Sequence, residues 1–388
     1  RQGIDRLSPI ARKVEREGTP NRRNVVLVFM ESMSANLMGT FGSDKKLTPY
    51  LDSLYQQSLS FSHFYSSGIH TNHGIYSTLY SFPAIMKRNA MKGSVIPVYS
   101  GLPTVLQENG YCNLFFMTHE SQYDNMNAFL RTNGFDEIYA QENYPSEKVV
   151  NSFGVQDDFM YQYALPILNE RAGTGNPFFS VLLSISNHPP YVIPPYFHPH
   201  SDVLEEQIVE YADWSIRQFM QAAEKQPWFD NTIFVFLGDH GKMVGTPECE
   251  MPQSYNHIPL MIYGKDIKPG VYDGFGGQVD VSPTLLGLLN ISYLQNNFGV
   301  NLLEEERPCM FFTADNLIGA RDSVNMFIYS PDSQQEFKYK LEEGKLHAAT
   351  GTDEEAFRNL KDYCFSMLQS TESLVKEHKT LDKVSVKK

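Results

Sequence analysis

Apolar runs of six to eight residues recur along the first 291 residues of the chain and alternate with more polar segments. The first run, NVVLVFM, is continuous and rich in Val, which is typical of a strand buried on both faces of a parallel sheet. On this pattern we predict strands at Asn24–Met30, Cys112–Met117, Phe178–Ile185, Thr232–Leu237 and Ile258–Tyr263.

Between these runs, apolar residues follow the spacing of an amphipathic helix. Asp280 stands just before the last such segment and is the expected cap of that helix. Alternating strands and helices favour an α/β fold with a mostly parallel sheet flanked by helices. The predicted helices are Thr48–Ser58, Gly74–Ser81, Leu102–Asn109, Leu204–Lys225 and Ser282–Leu289.

The pattern changes after about Asn290, where short strand-like pieces are separated by turn residues such as SPDS. We predict a small C-terminal antiparallel α+β subdomain with strands at Cys309–Thr313, Ser323–Tyr329 and Glu336–Leu341, and a terminal helix from Asp353 to about Ser370. The expected organisation is a lead-in segment at residues 1–23, a catalytic domain at 24–291 and a C-terminal subdomain at 292–388.

Composition narrows the class of protein. The chain has 388 residues, of which 41% are hydrophobic, so a large core is available. A net charge of −13 argues against a nucleic-acid partner, which would require a basic face. The four cysteines fit two disulfides in three connectivities, or free buried thiols. No apolar run reaches the roughly 18 residues of a membrane span, and we interpret the charged first residues as the start of a soluble part of a longer protein.

Polar residues with metal-binding chemistry follow three of the predicted strands. Glu31 follows the first strand, SNHPP presents Asn187 and His188, and GDHGK presents Asp239 and His240. Ligands of open α/β sheets bind outside the carboxyl ends of the strands, so these side chains are expected at one edge. Thr71 stands at a loop-to-helix junction, in GIHTNHGIYSTLYSFP, and joins the set.

Each of these residues also has a plain structural interpretation when it is taken alone. Glu31 can favour a helix N-terminus by its charge, His188 can be a loop residue, Asp239-His240 can be an ordinary turn, and Thr71 can be a helix cap. Because the fold makes them neighbours, the set as a whole favours a metal site with a nucleophile.

The chemistry requires these residue types. Carboxylate oxygens and an imidazole nitrogen from Glu31, Asp239 and His240 suit a hard or borderline divalent cation. A coordinated Thr71 hydroxyl becomes a competent nucleophile, and a helix N-terminus attracts phosphate or sulfate. His188 is then the expected acid and base for the leaving and entering alcohols.

The segments NVVLVFMESMSANLMG, LTPYLDSL, the Thr71 helix start, SNHPP, GDHG and VDVSPTLLGLL occur in the order seen in the alkaline phosphatase superfamily. From about Asn24 to Ile291 the chain resembles its sulfatase-like branch of lipoteichoic acid synthases and phosphoglycerol transferases. The resemblance implies a doubly wound, alkaline phosphatase-like sheet. It also implies one divalent ion, Mn²⁺ or Mg²⁺ with Zn²⁺ as a further option, held by Glu31, Thr71, Asp239 and His240. Thr71 would be the nucleophile, and His188 would lie in the substrate pocket.

Two departures from the family pattern matter for the substrate. The stretch Thr71-Asn72-His73-Gly74-Ile75 lacks the Cys-x-Pro-x-Arg pattern that true sulfatases convert to formylglycine. The chain keeps His119, which resembles the histidine that holds glycerol phosphate, but Asp124, Asn125 and Met126 stand where a Trp-x-Arg element is expected. The predicted substrate-binding residues are His119, Asn72, Asn187 and His257, and a structural role for His257 stays open.

The leading hypothesis is a metal-dependent transferase that moves a phosphorylated alcohol through a covalent threonine intermediate to an envelope glycan or lipid. A hydrolase of phosphate or sulfate esters that uses the same site is the alternative. A non-catalytic binding domain is the third, and the complete ligand set argues against it. The resemblance further implies an anionic phospholipid or a phosphate or sulfate ester as substrate. It also implies a catalytic domain on the extracytoplasmic side of the cell membrane, with an anchor outside this segment.

Overall fold

A computed structural model describes residues 7–351 and 354–383. Asp353, where the sequence predicts the terminal helix to begin, lies outside the described residues. The helices are α1 Pro49–Gln57, α2 Thr71–Tyr80, α3 Leu102–Glu108, α4 Met126–Thr132, α5 Asp157–Ala172, α6 Leu204–Ala223, α7 Gln253–Asn256, α8 Val281–Leu288 and α9 Glu354–Lys376.

The strands lie in one large sheet, a smaller C-terminal sheet and two short pairs. Their bounds are β1 Arg12–Val14, β2 Asn24–Met30, β3 Leu59–Tyr65, β4 Cys112–Met117, β5 Glu137–Tyr139, β6 Val149–Asn151, β7 Gly154–Val155, β8 Phe178–Leu183, β9 Thr232–Gly238, β10 Leu260–Tyr263, β11 Gly270–Gly277, β12 Tyr293–Gln295, β13 Met310–Thr313, β14 Ile318–Arg321, β15 Asn325–Ser330, β16 Gln335–Glu342 and β17 Lys345–Ala348.

The large sheet has the strand order β11-β3-β10-β9-β2-β8-β4-β5. Strands β9, β2, β8, β4 and β5 are parallel, and β11 is parallel to β3. This confirms the predicted mostly parallel α/β sheet. The sequence pattern did not reveal that β10 runs antiparallel to both of its neighbours.

Successive side chains of β2 point to opposite faces of the large sheet and enter two separate hydrophobic layers. Val25, Leu27 and Phe29 pack with residues of α2, α3 and α8 on one face. Val26 and Val28 pack on the other face with residues of α1, α5 and α6. The sheet is therefore covered on both sides, which explains why its central strand is apolar throughout.

The sequence analysis did not predict several helices and strands, because their sequences show the expected hydrophobic pattern weakly or contain residues that oppose it. Helix α5 contains Pro166, a residue that ordinarily ends a helix, yet the helix continues to Ala172. Strand β3 interleaves Ser and His with its aromatic residues, and β5 is only three residues long. Helix α2 begins at Thr71, three residues earlier than predicted.

The C-terminal part confirms the predicted separate antiparallel sheet, with the strand order β13-β14-β15-β16-β17. Helix α9 packs on one face of it through Phe357, Leu360 and Cys364. Near the other end of the chain, β1 pairs with β12, so residues 12–14 of the expected lead-in segment form a strand. All four cysteines are free thiols. No helix in the described ranges combines the length and apolar character of a membrane span.

Asp280 occupies the N-cap position of α8, as predicted, but its side chain makes no cap hydrogen bond to that helix. Its buried carboxylate instead binds Arg307, with Arg307 Nε donating to Oδ2 over 2.8 Å and Nη2 donating to Oδ1 over 2.5 Å. Arg307 also donates to the carbonyl of Phe298 and to the hydroxyl of Tyr363 in α9. This ion pair thus joins the start of α8 to the C-terminal helix.

We predict that Arg307→Met lowers the free energy of unfolding by about 3–5 kcal/mol, because it leaves the Asp280 carboxylate buried without its cation. Denaturant-induced unfolding measures the change. Adding Asp280→Asn in the same chain is expected to recover part of the loss, since it removes the buried charge. Lys265→Met, which breaks an exposed ion pair with Asp230, is the control and is expected to change little. An unfolding free energy of Arg307→Met equal to that of Lys265→Met would contradict the prediction.

Candidate active site

Two neighbouring parallel strands end in the residues of a compact acidic and histidine cluster. Glu31 follows β2, and Asp239 and His240 follow β9, the strand beside it. His240 Nε2 lies 3.7 Å from Glu31 Oε1 and 3.5 Å from Asp239 Oδ2. One ligand atom from each of the three residues falls within 4.8 Å of the others. The strand ends therefore bring the predicted ligands Glu31, Asp239 and His240 together.

The two carboxylates of this cluster are buried, with exposed fractions of 1% for Glu31 and 0% for Asp239. Asp239 Oδ1 accepts the backbone N–H groups of Ser32 and His240 over 2.9 and 2.8 Å, but Oδ2 has no hydrogen-bond partner among the described residues. Burial, and then the adjacent Asp239 carboxylate, raise the pKa of Glu31 well above its usual range. Two buried carboxylates and an orphaned oxygen fit a divalent cation as the missing partner.

The His240 ring is also oriented in a way that suits binding of a cation. Its Nδ1 lies 2.7 Å from the carbonyl oxygen of Gly241, which can only accept a hydrogen bond, so Nδ1 carries the proton. The lone pair of Nε2 then faces Glu31 and Asp239. Such an outer hydrogen bond fixes the tautomer that a metal-binding histidine needs.

Thr71 is the first residue of α2, and His70 occupies the cap position without a side-chain cap bond. The Thr71 hydroxyl donates instead to Glu31 Oε2 over 3.3 Å. The alternative that Thr71 is a plain helix cap is therefore wrong. Its hydroxyl points into the cluster of Glu31, Asp239 and His240, from a helix end whose free N–H groups favour an anion.

Two contacts fix α2 against the loop after β9. A Cβ atom added to Gly74 would lie 2.2 Å from the carbonyl oxygen of Asp239, so only glycine permits this approach. The buried side chain of Gln278 donates to the carbonyls of Gly238 and Asp239 and accepts the N–H of Ser67, in the loop before α2. Gln278 therefore ties the loop before Thr71 to the loop that carries Asp239 and His240.

A cavity of about 260 Å³ opens beside Thr71. The predicted residues Asn72, His188 and His240 line it. The lining residues that the sequence analysis did not assign to the site include His70, Tyr123, Asp124 and Lys242. Burial lowers the pKa of Lys242 to about 8.

Of the two predicted asparagines, Asn72 lines the cavity and Asn187 does not. Asn72 donates to Asp124 Oδ2 over 3.2 Å, and its own Oδ1 is buried without a partner among the described residues. Asn187 is buried behind the cavity, where it donates to the carbonyls of Glu31 and Ser32 and accepts a 2.7 Å hydrogen bond from Lys242.

His188 lies at the cavity wall, with its ring centroid 4.2 Å from that of Phe153. Its Nδ1 lies 2.6 Å from the carbonyl oxygen of Pro189, so Nδ1 donates and Nε2 is left for a substrate. The loop that carries it is held from behind, since Asp157 Oδ1 accepts the N–H groups of Ile185 and Ser186.

The structure does not place His119 or His257 in the cavity lining. His119 is buried, and its ring packs at a tilt against that of Tyr123, with ring centroids 4.8 Å apart. His257 packs between Phe41 and Tyr65 and donates from Nε2 to the carbonyl of Ser62 over 2.8 Å. Burial lowers the pKa of His257 to about 4, which matches the structural role that the sequence left open.

The residues that the sequence analysis missed gave little local signal. Gln278 follows two glycines and reads as part of a turn, whereas it reaches two strand-end loops. Lys242 follows the GDHG motif and looks like a solvated lysine, although its proximity to the motif was the one available hint. Only the chain path between β4 and α4 brings Tyr123 and Asp124 beside Asn72.

Comparisons with known proteins place these features in a family. The family model described as Sulfatase matches residues 23–291. The lipoteichoic acid synthase-like protein YvgJ of Bacillus subtilis is 25% identical over 324 residues, covering 75% of this chain and 51% of the relative. Lipoteichoic acid synthase of Staphylococcus aureus is 23% identical over 361 residues, covering 81% of this chain and 53% of the relative. The chain thus spans about half the length of the curated relatives it matches.

Solved structures agree on the fold. A protein of the alkaline phosphatase superfamily from Vibrio parahaemolyticus superposes with a TM-score of 0.87 at 26% identity, covering 98% of this chain and 93% of that one. The lipoteichoic acid synthase LtaP from Listeria monocytogenes gives a TM-score of 0.76 at 22% identity, covering 96% and 97%. Family match, fold and the cluster at the strand ends agree: the chain belongs to the sulfatase family and is an enzyme of the alkaline phosphatase superfamily.

Proposed function

We propose that the protein is a metal-dependent transferase that moves a phosphorylated alcohol, such as phosphoglycerol, from a lipid donor to an envelope glycan or lipid acceptor. The observation that carries the proposal is the 3.3 Å hydrogen bond from the Thr71 hydroxyl, at the N-terminus of α2, to Glu31 of the buried cluster. A hydroxyl in this position can attack a tetrahedral anion that the helix end attracts.

In the first step, Thr71 Oγ1 attacks the phosphorus atom of the donor. A bond from Oγ1 to phosphorus forms while the phosphorus–oxygen bond to the leaving alcohol breaks. The hydroxyl proton passes to Glu31, which already accepts its hydrogen bond, and His188 as imidazolium protonates the leaving alkoxide.

In the second step, the acceptor hydroxyl attacks phosphorus and gives its proton to His188. The bond from phosphorus to Thr71 Oγ1 breaks, and Oγ1 recovers its proton from Glu31. Both steps leave the protein side chains as they began, as a ping-pong transfer requires.

Glu31, Asp239, His240 and Thr71 are the proposed ligands of one divalent cation. Oxygen ligands with a single imidazole favour Mn²⁺ or Mg²⁺, and Zn²⁺ also accepts this set. When bound, the ion would neutralise the two buried carboxylates and increase the acidity of the Thr71 hydroxyl.

The lipid donor and the extracytoplasmic location at the cell membrane are part of the same proposal. Their support is the likeness to proteins named as lipoteichoic acid synthases. The substitution of Asp124, Asn125 and Met126 for a Trp-x-Arg element leaves the identity of the phosphorylated alcohol to experiment.

We predict that Thr71→Ala reduces turnover of a phosphodiester donor by at least about 10³-fold, because the attacking atom is removed. Chromogenic phosphodiester turnover and mass spectrometry of the trapped enzyme measure this. Thr174→Ala, which removes an exposed hydroxyl near the end of α5, is the matched control and should keep full activity. The proposed nucleophile would be excluded by an active Thr71→Ala protein that still binds metal.

Metal loading should raise the Tm of the wild-type protein, because the cation relieves repulsion between the buried Glu31 and Asp239 carboxylates. We predict that Glu31→Gln loses most of this increase and that its metal-free form is at least as stable as metal-free wild type. Scanning calorimetry with Mn²⁺ or with a chelator tests both statements. Glu147→Gln, at an exposed position, serves as the control. Equal Mn²⁺-induced shifts in wild type and Glu31→Gln would contradict the proposed ligand set.

Transfer and hydrolysis share this site and differ in the acceptor. With a phospholipid donor and no added acceptor, a transferase should release little product after the first turnover, and an alcohol acceptor should accelerate release. Time courses of product formation with and without glycerol distinguish the two. Rapid steady release into water alone would favour the hydrolase and overturn the transferase.

A further inference from the structure

Lys242 is one of the residues that line the cavity beside Thr71. Its Nζ donates a 2.7 Å hydrogen bond to Asn187 Oδ1 and lies 5.5 Å from the centre of the Tyr191 ring. Among the residues that the structure describes, no carboxylate oxygen lies within 4.0 Å of Nζ; Glu205 and Glu31 act on it only at longer range. The side chain is partly buried, so this cation is short of both water and an anion.

The backbone around Lys242 is fixed, unlike that of an ordinary surface lysine. Ser34 Oγ accepts the Lys242 N–H over 2.8 Å and donates to its carbonyl over 3.1 Å. A Cβ atom on the preceding Gly241 would lie 1.9 Å from the carbonyl oxygen of Ser254, so the loop is closely packed there. The chain thus holds Lys242 in place on the side of the cavity next to His240.

Asn187 orients the ammonium group. Its amide nitrogen donates to the carbonyls of Glu31 and Ser32, which turns its oxygen toward Lys242. The position of Nζ is therefore set by the same strand end that carries Glu31. A cation placed in this way adds a directed donor to the cavity.

Lys92, another lysine close to the cavity, differs from Lys242 in its exposure and in its ion pair. Lys92 is 59% exposed and already pairs with Asp124 over 3.2 Å. A partly desolvated cation without an anionic partner is costly unless a ligand supplies the counter-charge. Lys92 already has an anionic partner in Asp124, whereas Lys242 has none among the described residues and would be stabilised by a bound anion.

We propose that Lys242 is a specificity-determining residue that donates from Nζ to a non-bridging oxygen of the tetrahedral oxyanion bound beside Thr71. This inference deepens the proposed function and rests on it for the identity of the reacting group. It also supplies a cationic contact in a cavity where the expected Arg is absent. Phosphate and sulfate share the chemistry that Lys242 would recognise.

The test is calorimetric titration of inorganic phosphate, and separately of sulfate, into the Mn²⁺-loaded full chain. Lys242→Met should weaken binding of the anion about 10- to 100-fold, the loss of one charge-assisted hydrogen bond. Lys242→Arg should retain most of the affinity. Lys45→Met removes an exposed lysine that pairs with Glu206 and should bind as wild type does.

Lys242→Gln keeps the shape and polarity of the side chain and guards against a folding defect in Lys242→Met. Both variants should retain the Mn²⁺-induced Tm shift and, with a turnover substrate, show a raised KM. Wild-type affinity for phosphate and sulfate in a metal-loaded Lys242→Gln or Lys242→Met protein would overturn the inference. So would a metal-loaded wild type that binds neither anion. If anion binding depends on Lys242 but no ester is turned over, the anion subsite stands and the proposed transferase fails.

Discussion

The active site depends on the burial of two carboxylates, Glu31 and Asp239, at the ends of adjacent parallel strands. Neither side chain can escape to solvent, and the protein supplies too few donors to satisfy both. A proton on Glu31, whose pKa is raised well above its usual range, or a bound cation would relieve their repulsion. The Thr71 hydroxyl donates to one member of this pair, and Nε2 of His240 lies within 4 Å of both.

The second constraint is the close approach of α2 to the loop after β9. Gly74 lies against the Asp239 carbonyl, and Gln278 links that carbonyl to the loop before Thr71. The C-terminal sheet adds to the same loop, since Thr313 donates its N–H to the Ser67 carbonyl over 2.9 Å and Asp315 contacts His70. Thr71, the proposed nucleophile, is therefore positioned by three separate parts of the fold, and its geometry does not depend on a single hydrogen bond.

The cavity combines charges of both signs around this fixed centre. Lys242 lies in the loop after β9, close to His240. Asp124 pairs with Lys92 and lies beside Asn72. Under the proposed function, Lys242 would contact the anionic reacting group, and Asn72 and Asp124 are polar side chains available to the alcohol. These contacts would select the alcohol without the Arg that the family pattern leads one to expect.

The sequence by itself determined the α/β class and the residues at the ends of β2, β8 and β9. Short, Val-rich apolar runs favour strands covered on both faces, and parallel strands present their carboxyl ends at one edge. Tertiary structure alone decided the orientation of β10, the course of α5 through Pro166, and the pairing of Asp280 with Arg307. It also decided that Lys242 lines the cavity and that His257 packs between aromatic rings instead. Such outcomes depend on contacts between residues far apart in the chain, and no local pattern of hydrophobic and polar positions encodes them.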